Sequence, residues 1–579
     1  MATTHAIASD LEIPYKVRVA GIEDTALIND LKAVSGAEAL RGRPPHSLRQ
    51  LQRRAERDTD RFQKVLRNRG FYAASVEVKI EEGKRAAQVV FQVDTGPVYT
   101  LRTVRIAVEE PEGDDAESVA FLSPEAIGLV RGEPALARRV VHAEERIREL
   151  LEREGHPFPR IEKRTVRVEH AARAMDVHFK VRPGPVAVFG DTTFSGLSDA
   201  EESFVRAKLP WNPGDAFNGT LLRVGQRRLT GADLFTSVRM VRADELDDGM
   251  LPIRIEVSER RHRSITLGGG YGSDEGARGR VGWEHRNLLG RGERLSVLLN
   301  ISELGYGGVT RLQKPDFLRL DQTFEVSLRS ALEDTDAFRS RHVGVLFSVN
   351  RLLQPGWVAG VGTGFRYVSV REDRDEERFG LLYLPVHLDV DRSDDVLDPR
   401  RGWRLSLGGA PYRDMIDSEV AFLKTRASVT QYQRVTRRPE IGWAGRAMLG
   451  TISGVSRDAV PADERFYAGG GGSVRGYAYQ SVGPLDGKNP IGGKSMAVVS
   501  SELRWRINQE FGLVAFIDGG SVYETSWPDN ADDVLWGAGL GFRYFTPVGP
   551  LRVDVALPLD RRSEVDDSFH FYISLGQAF

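Results

Sequence analysis

The chain has 579 residues, carries a formal net charge of −2 and contains no cysteine. Its length is typical of several domains, and the near-neutral charge gives no indication of a nucleic-acid surface. Without cysteine there is no disulfide framework, no cysteine-ligated metal and no thiol nucleophile. No apolar run reaches the roughly 18 residues that a transmembrane helix requires. The numbered chain begins without the basic and apolar regions of a secretory signal.

Residues 1–262 contain a pattern of a helix followed by two strands that occurs three times. In the first copy a helical spacing of apolar residues ends at Gly70, two alternating strands follow, and the copy closes at Gly96. The second and third helices end at Gly155 and Gly231. We predict three α+β modules of about 80 residues each, with one larger α+β domain as the alternative. The predicted ranges are 13–97, 98–184 and 185–262.

Residues 263–579 are richer in glycine and tryptophan and mainly alternate apolar with polar or small residues. A soluble β-sandwich and a transmembrane β-barrel both produce this alternation. Aromatic residues near the predicted strand ends favour the barrel, because such residues form belts at the membrane surface. The tryptophans in these positions are Trp283, Trp403, Trp505 and Trp536. We predict an antiparallel transmembrane barrel of about 16 strands, with a soluble modular β protein as the alternative.

No arrangement of residues in the sequence is suited to carrying out a reaction. The segment GGKS ends like a phosphate-binding loop, but Lys488 replaces the glycine with which that loop begins. Ser473 lacks the glycine that a nucleophile elbow needs two positions later, where the chain has Arg475. The 11 histidines are scattered and form no HExxH motif. The sequence predicts a protein that is not an enzyme and has no catalytic residue, metal site or cofactor.

Four motifs resemble those of the outer-membrane assembly superfamily, which includes the BamA insertase and the two-partner secretion transporters. They are EHRNLLGRGERL at 284–295, DVDRSDDVLDPRRGW at 389–403, ERFYAGGGGSVRGYAYQSVGP at 464–484 and AFIDGG at 515–520. Their order matches that of the family, and the three N-terminal modules resemble its POTRA domains. Three POTRA domains before a barrel of this size are similar to the TamA branch, the outer-membrane subunit of the translocation and assembly module.

This resemblance implies a factor that inserts outer-membrane proteins, autotransporters among them. The barrel would lie in the outer membrane of a Gram-negative cell and the POTRA domains in the periplasm. The implied partners are an inner-membrane-anchored, TamB-like protein that spans the periplasm, unfolded outer-membrane protein clients, and outer-membrane lipid with lipopolysaccharide. No nucleic acid is expected. The alternative is a two-partner-type transporter that conducts an unfolded polypeptide through the lumen, although residues 1–12 are too short for its plug helix.

The resemblance also assigns a role to the glycine-rich loop. In relatives the loop after the eleventh barrel strand folds into the lumen, where its arginine reaches a carboxylate on strand twelve and an F-x-D-x-G motif on strand thirteen. A guanidinium group can bind a carboxylate bidentately and stack on an aromatic ring, and glycines allow a close approach to the wall. The predicted lumen lock consists of Arg475, Gly476, Tyr477, Glu502, Phe516, Asp518 and Gly520.

The first predicted barrel strand has three consecutive glycines in its interior, where glycine weakens a strand. We predict that the seam between the first and last strands is short, has few hydrogen bonds and opens. A client strand would then add to the free edge by β-augmentation. The alternative is that these glycines serve only the curvature of the barrel. The predicted lateral gate consists of Gly268, Gly269, Gly270, Leu575, Gly576 and Phe579.

Overall fold

A computed structural model describes residues 13–83, 86–109, 121–373, 375–416, 420–437, 439–547 and 549–575. These residues form three small sheets with helices, followed by a closed barrel. Among them, no helix combines the length and the apolar character needed to cross a membrane.

Each of the three N-terminal sheets has three strands, and the strand that comes last in the chain lies in the centre. The first strand of each sheet runs parallel to the central one. The elements are β1 Tyr15–Ala20, α1 Thr25–Val34, α2 Gly36–Ala39, α3 Leu48–Asn68, β2 Ser75–Glu81, β3 Ala87–Asp94, β4 Thr100–Val108, α4 Ala137–Arg153, β5 Arg160–Glu169, β6 Ala174–Arg182, β7 Val188–Ser195, α5 Glu202–Ala207, α6 Gly219–Gly231, β8 Phe235–Arg242 and β9 Met250–Glu259.

The first module illustrates why these elements form. Helix α3 begins after Ser47, whose side chain accepts a hydrogen bond from the backbone amide of residue 50. Its apolar face, including Phe62, is buried against the central strand β3, where Phe91 is equally buried. The helix ends just before Gly70, which has a φ of 90° and so takes the left-handed conformation that glycine permits.

The predicted helix ends differ in their agreement with the structure. Gly155 follows the end of α4 with a φ of 104°, as expected for a glycine after a helix. The third helix ends at Gly231 as predicted, but this glycine is the last residue of α6 and does not have a positive φ. Two positions later Asp233 has a φ of 60°. Aspartate is one of the few side chains that tolerate this region, which is why the turn needs no glycine.

The described residues of the C-terminal part form sixteen antiparallel strands in one closed barrel, β10 to β25. In chain order they are Arg263–Gly272, Gly276–His285, Arg294–Ser302, Gly305–Lys314, Gln322–Asp334, Arg339–Gln354, Trp357–Glu372, Asp375–Tyr383 with Val386–Asp391, Gly402–Asp414, Ala421–Arg437, Glu440–Ser453, Ser495–Arg506, Phe511–Tyr523, Leu535–Thr546, Gly549–Pro558 and His570–Leu575. The eighth strand, β17, has two segments because Pro385 interrupts its ladder.

The two faces of the barrel wall differ in the way that a membrane barrel requires. On β22, Leu513 and Ile517 point outward and are exposed, whereas Phe516 and Asp518 point inward and are buried. The predicted α+β modules followed by a 16-stranded barrel are confirmed. The soluble modular alternative fails because the first strand pairs with the last and closes the cylinder.

The lumen of the barrel is partly filled by the long loop between β20 and β21, residues 454–494. Its apolar side chains Phe466, Val474 and Tyr477 are buried and pack against the inward-facing Val498 and Val522. This apolar packing holds the glycine run and the arginine that follows it inside the barrel wall.

Candidate functional site

Arg475 extends from the lumenal loop into a nest of carboxylates on the barrel wall. Its Nε and Nη2 atoms donate to the two oxygens of Asp518 at 2.6 Å and 3.0 Å, a bidentate pair. Its Nη1 donates to Glu502 at 2.8 Å, and its guanidinium carbon lies 3.5 Å from the ring centroid of Phe516. The arginine is 2% exposed, and both acids are fully buried. The pairs are therefore desolvated, unlike surface salt bridges.

The backbone around Arg475 explains the need for glycine there. Gly476 has a φ of 100°, and a Cβ at this position would lie 2.8 Å from the carbonyl carbon of Leu557. On the wall, a Cβ at Gly520 would approach the side chain of Val474 to 3.0 Å. Only glycine allows the loop and the wall to come this close while the guanidinium group reaches its acids.

Tyr477, the last residue of the VRGY motif, fixes the loop to the far side of the nest. Its hydroxyl donates to the backbone carbonyl of Trp536 at 2.9 Å and accepts from the amide of Asp560 at 3.3 Å. The structure thus brings together all seven residues of the predicted lumen lock.

Sequence reasoning missed a third carboxylate in the nest, Asp554 on β24. It accepts from Nη1 of Arg475 at 3.2 Å and also from Nη1 of Arg543. Gly541 lies opposite Asp554 in the strand register, and a Cβ there would lie 2.2 Å from a carboxylate oxygen of Asp554. The only signal in the sequence is an acid at an inward position of an alternating strand, which by itself does not indicate its partner.

The loop has a second anchor that the sequence analysis also missed. Arg465 is 6% exposed and donates through Nη1 and Nη2 to the carboxylate of Glu372 on β16, at 2.6 Å and 3.0 Å. The neighbouring Glu464 is buried and bonds to Arg366 on the same strand and to Lys424 on β19. The 454–494 loop is therefore held to two separate stretches of wall by buried ion pairs.

The seam between β10 and β25 is short in the part of the barrel that the structure describes. Three pairs join it, from Gly270 with Ser574 to Gly272 with Tyr572, whereas β10 and β11 pair over all ten residues of β10. Gly268 and Gly269 have no partner on β25 among the described residues, which end at Leu575. The predicted gate residues Gly576 and Phe579 lie outside that range.

The three consecutive glycines of β10 are not equivalent. A Cβ on Gly270 would lie 3.0 Å from the carbonyl oxygen of Ile573, so this glycine lets the two seam strands approach. A Cβ on Gly268 or Gly269 would meet no described atom closer than 3.6 Å. Packing of the described residues therefore does not require glycine at positions 268 and 269, where it leaves the strand weaker than a β-branched residue would.

The lumenal loop touches both edges of the seam. The amide of Gly471 donates to Asp274, in the turn that follows β10, at 3.3 Å. The amide of Gly476 donates to the hydroxyl of Tyr572 on β25 at 3.2 Å. Each contact is a single hydrogen bond, weaker than the ion pairs that hold the loop elsewhere.

The motif at 284–295 fastens the start of the barrel to the segment before α5. The side-chain amide of Asn287 donates to the carbonyl of Asp199 at 3.0 Å, and Arg291 pairs with Glu201 at 2.7 Å. Burial alone would raise the pKa of Glu259, but hydrogen bonds from the backbone amides of residues 198, 200 and 199 hold it at about 2. His262 lies beside this carboxylate. Asp199, Glu259 and His262 lie close enough together to be considered as metal ligands. Because the carboxylate oxygens of Glu259 already accept these hydrogen bonds, we assign no metal to the three residues.

Comparison with known proteins gives consistent matches. The family model described as the Omp85 superfamily domain matches residues 287–579. The outer membrane protein assembly factor BamA of Nitratidesulfovibrio vulgaris is 26% identical over 451 residues, which cover 73% of this chain and 55% of that protein. BamA of Neorickettsia risticii is 23% identical over 537 residues, covering 87% and 70%. The crystal structure of Haemophilus ducreyi BamA lacking POTRA domains 1–3 shares the fold, with a TM-score of 0.69, 18% identity and coverage of 82% and 100%.

Proposed function

The chain belongs to the Omp85 superfamily, and on this premise we propose that it inserts unfolded β-barrel proteins into the outer membrane. Two relatives that it matches carry the name outer membrane protein assembly factor, although the chain spans only 55% of the first of them. The observation that carries the proposal is the seam between β10 and β25, where three pairs are described and where Gly268 and Gly269 have no partner on β25 among the described residues, which end at Leu575.

The proposed mechanism is lateral opening of this seam. A separated β10 exposes unpaired backbone amides and carbonyls, and an unfolded client strand can add to them by β-augmentation. In lipid every backbone polar group must be satisfied, so a growing client sheet is favoured as each new strand pairs. Burial of the client's apolar face in the bilayer supplies further free energy, and no nucleotide is required.

We further propose that the protein acts in the manner of the TamA branch. Residues 13–97, 98–184 and 185–262 would be three POTRA domains in the periplasm, and residues 263–579 the barrel in the outer membrane. A TamB-like, inner-membrane-anchored protein would deliver clients to the POTRA domains, and lipid with lipopolysaccharide would surround the barrel. The three sheets β1–β3, β4–β6 and β7–β9 support this arrangement.

A disulfide across the seam tests the mechanism, because the chain has no native cysteine. Continuation of the register beyond the pair of Gly270 with Ser574 would place Gly269 opposite Leu575. We expect that oxidised Gly269→Cys/Leu575→Cys protein in liposomes fails to insert an autotransporter barrel, and that reduction restores insertion. Folding of the client is measured by its heat-modifiable migration in gels.

The matched control is Gly269→Cys/Gly279→Cys, which crosslinks β10 to β11 at an existing pair and leaves the seam free. This variant is expected to insert the client whether oxidised or reduced. Full insertion by the protein with a locked seam would overturn lateral opening. If the locked protein also passed an unfolded polypeptide across the membrane, conduction through the lumen, as in two-partner transporters, would replace the proposal.

A further inference from the structure

The buried nest around Arg475 carries more positive than negative charge. Four guanidinium groups face three carboxylates within it. The cations are Arg475, Arg504, Arg543 and Arg552, and the anions are Glu502, Asp518 and Asp554. Six of the seven side chains are almost fully buried, and Arg504 is 13% exposed. A buried charge without compensation costs several kcal/mol, on the order of the breaking of a buried pair. Among these seven side chains positive charge exceeds negative charge by one.

Arg543 leaves one complete edge of its guanidinium group without a hydrogen-bond partner among the described residues. Its side chain is 1% exposed, and its Nη1 atom bonds to Asp554 and to the carbonyl of Phe542. Its Nε and Nη2 atoms have no hydrogen-bond partner in the described part of the chain. These two atoms form one edge of the guanidinium group, with parallel N–H donors. The same edge of Arg475 binds both oxygens of Asp518, so the free edge of Arg543 has the geometry for an oxyanion.

Arg543 is among the residues that line a cavity of about 50 Å³. Its wall is rich in arginine, and its guanidinium groups come from Arg400, Arg434, Arg504, Arg506 and Arg543. Its two carboxylates are already paired, because Asp398 accepts from Arg506 at 2.8 Å and Glu440 accepts from Arg400 at 2.7 Å. Arg434 also lines the cavity, and its Nε atom has no hydrogen-bond partner among the described residues. The cavity is thus positively charged, and two of its arginines have unused donors.

We propose that this arginine cavity binds a compact oxyanion with the chemistry of phosphate. The anion accepts two parallel hydrogen bonds from the Nε and Nη2 edge of Arg543 and neutralises the excess charge of the nest. A water molecule would fit the volume and could accept a hydrogen bond, but it would leave the charge uncompensated. The source of the phosphate chemistry is either free inorganic phosphate or the headgroup of a phospholipid.

The first experiment measures the thermal midpoint of the full chain in maltoside detergent as inorganic phosphate replaces gluconate at constant ionic strength. Gluconate serves as the reference anion, and an anion that binds only the folded protein raises the midpoint in a saturable manner. We expect saturation in the wild type and, in Arg543→Gln, an increase of about tenfold or more in the half-saturating phosphate concentration, because the bidentate pair is lost.

Two further variants distinguish a loss of phosphate binding from an effect on folding. Arg434→Gln changes a lining residue that is not one of the seven nest residues, and we expect it to weaken the phosphate response while the midpoint in gluconate stays unchanged. Arg329→Gln removes an exposed arginine on β14, outside the cavity, and is expected to keep the full response. An equal response in wild type and Arg543→Gln, or no saturable response at all together with no retained lipid, would overturn the proposal.

The second experiment distinguishes the two sources of phosphate. Native mass spectrometry of wild type and Arg543→Gln, extracted in the same mild detergent, reports any phospholipid that remains bound. Retention of one phospholipid by the wild type alone, with no response to inorganic phosphate, would identify the headgroup as the ligand. A saturable response without retained lipid would identify the free anion. Neither readout depends on insertion activity, so both are independent of the proposed function.

Discussion

Removal of Arg475 is the perturbation that most directly measures the lumen lock. In the structure Asp518 accepts side-chain hydrogen bonds from Arg475 alone among the described residues. In Arg475→Ala it would remain buried and would lose its only hydrogen-bonded cation among the described residues. Glu502 keeps Arg504 at 2.7 Å, and Asp554 keeps Arg543. One carboxylate is therefore left unpaired, for which we expect a loss of about 3–5 kcal/mol in the free energy of unfolding.

Removal of Asp518 is expected to lower the free energy of unfolding by less than removal of Arg475. In Asp518→Ala the guanidinium group of Arg475 still bonds to Glu502 at 2.8 Å and to Asp554 at 3.2 Å, so Arg475 itself keeps two carboxylate partners. We expect a loss of about 1–3 kcal/mol from the hydrogen bonds removed. In the double variant the unpaired carboxylate of Arg475→Ala is absent. The decrease in the free energy of unfolding should therefore be smaller than the sum of the two single decreases by about 2 kcal/mol.

The assay is urea unfolding in detergent micelles, followed by tryptophan fluorescence and by heat-modifiable migration in gels. A parallel cycle on Arg400 and Glu440, paired at 2.7 Å but about one-third exposed, serves as the control. Its coupling energy is expected to stay below about 1 kcal/mol, because solvent screens the pair. If the loss in the double variant equals the sum of the two single losses to within about 0.5 kcal/mol, the bidentate contact and its burial are refuted.

Three further predictions concern Gly476 in the lumenal loop, the carboxylate of Glu259 and the first barrel strand, β10. Gly476→Ala, which places a Cβ against Leu557 at a φ of 100°, is expected to destabilise the barrel by about 1–3 kcal/mol in the same urea assay. The pKa of Glu259 lies at about 2, below its ordinary value of 4.5, so its stabilising contribution is present above pH 4.5 and is lost as the pH falls towards 2. Glu259→Gln should therefore lower the thermal midpoint at pH 7, and the difference from wild type should shrink at pH 3. Gly268→Val/Gly269→Val, which the packing of described residues accommodates, should slow client insertion without lowering the urea midpoint, because β-branched residues strengthen a strand.

The sequence predicts those parts of the lumen lock that lie in contiguous motifs. Arg475 and Asp518 lie in segments whose order and spacing resemble a known family. Asp554 lies alone in a strand where every second residue faces inward, and only closure of the barrel brings it to the arginine. The pair of Arg465 with Glu372 joins residues 93 positions apart, and no local pattern indicates such a contact. Contacts made by closure could not be predicted because they depend on the curvature and register of the whole sheet.

The contacts at the seam also depend on the register of the sheet, so the sequence predicts them only in part. Glycine content predicts that β10 is a weak strand, because glycine has a high conformational entropy and no side chain to pack. It does not predict which glycine is required by packing. That distinction depends on register, which pairs Gly270 with Ser574 and leaves Gly268 without a described partner. A shift by one residue would exchange the inward and outward faces of the strand, so a periodic pattern restricts the register without fixing it.

The distribution of strong and weak contacts determines what an opening of the seam would disturb. The lumenal loop is held by buried ion pairs to β16 and β19 at Glu464 and to β21, β22 and β24 at Arg475. Towards the seam, the described residues of the loop make single hydrogen bonds, to Asp274 and Tyr572. Separation of β10 from β25 would break the three pairs described between the two strands and no described ion pair of the loop. The ion pairs of Glu464 join strands away from the seam, and those of Arg475 extend to β24, the neighbour of β25, so together they stiffen the wall against which the two edge strands would move. On this reasoning a rigid lock is a condition for a selective gate, since without it opening would compete with loosening of the whole barrel.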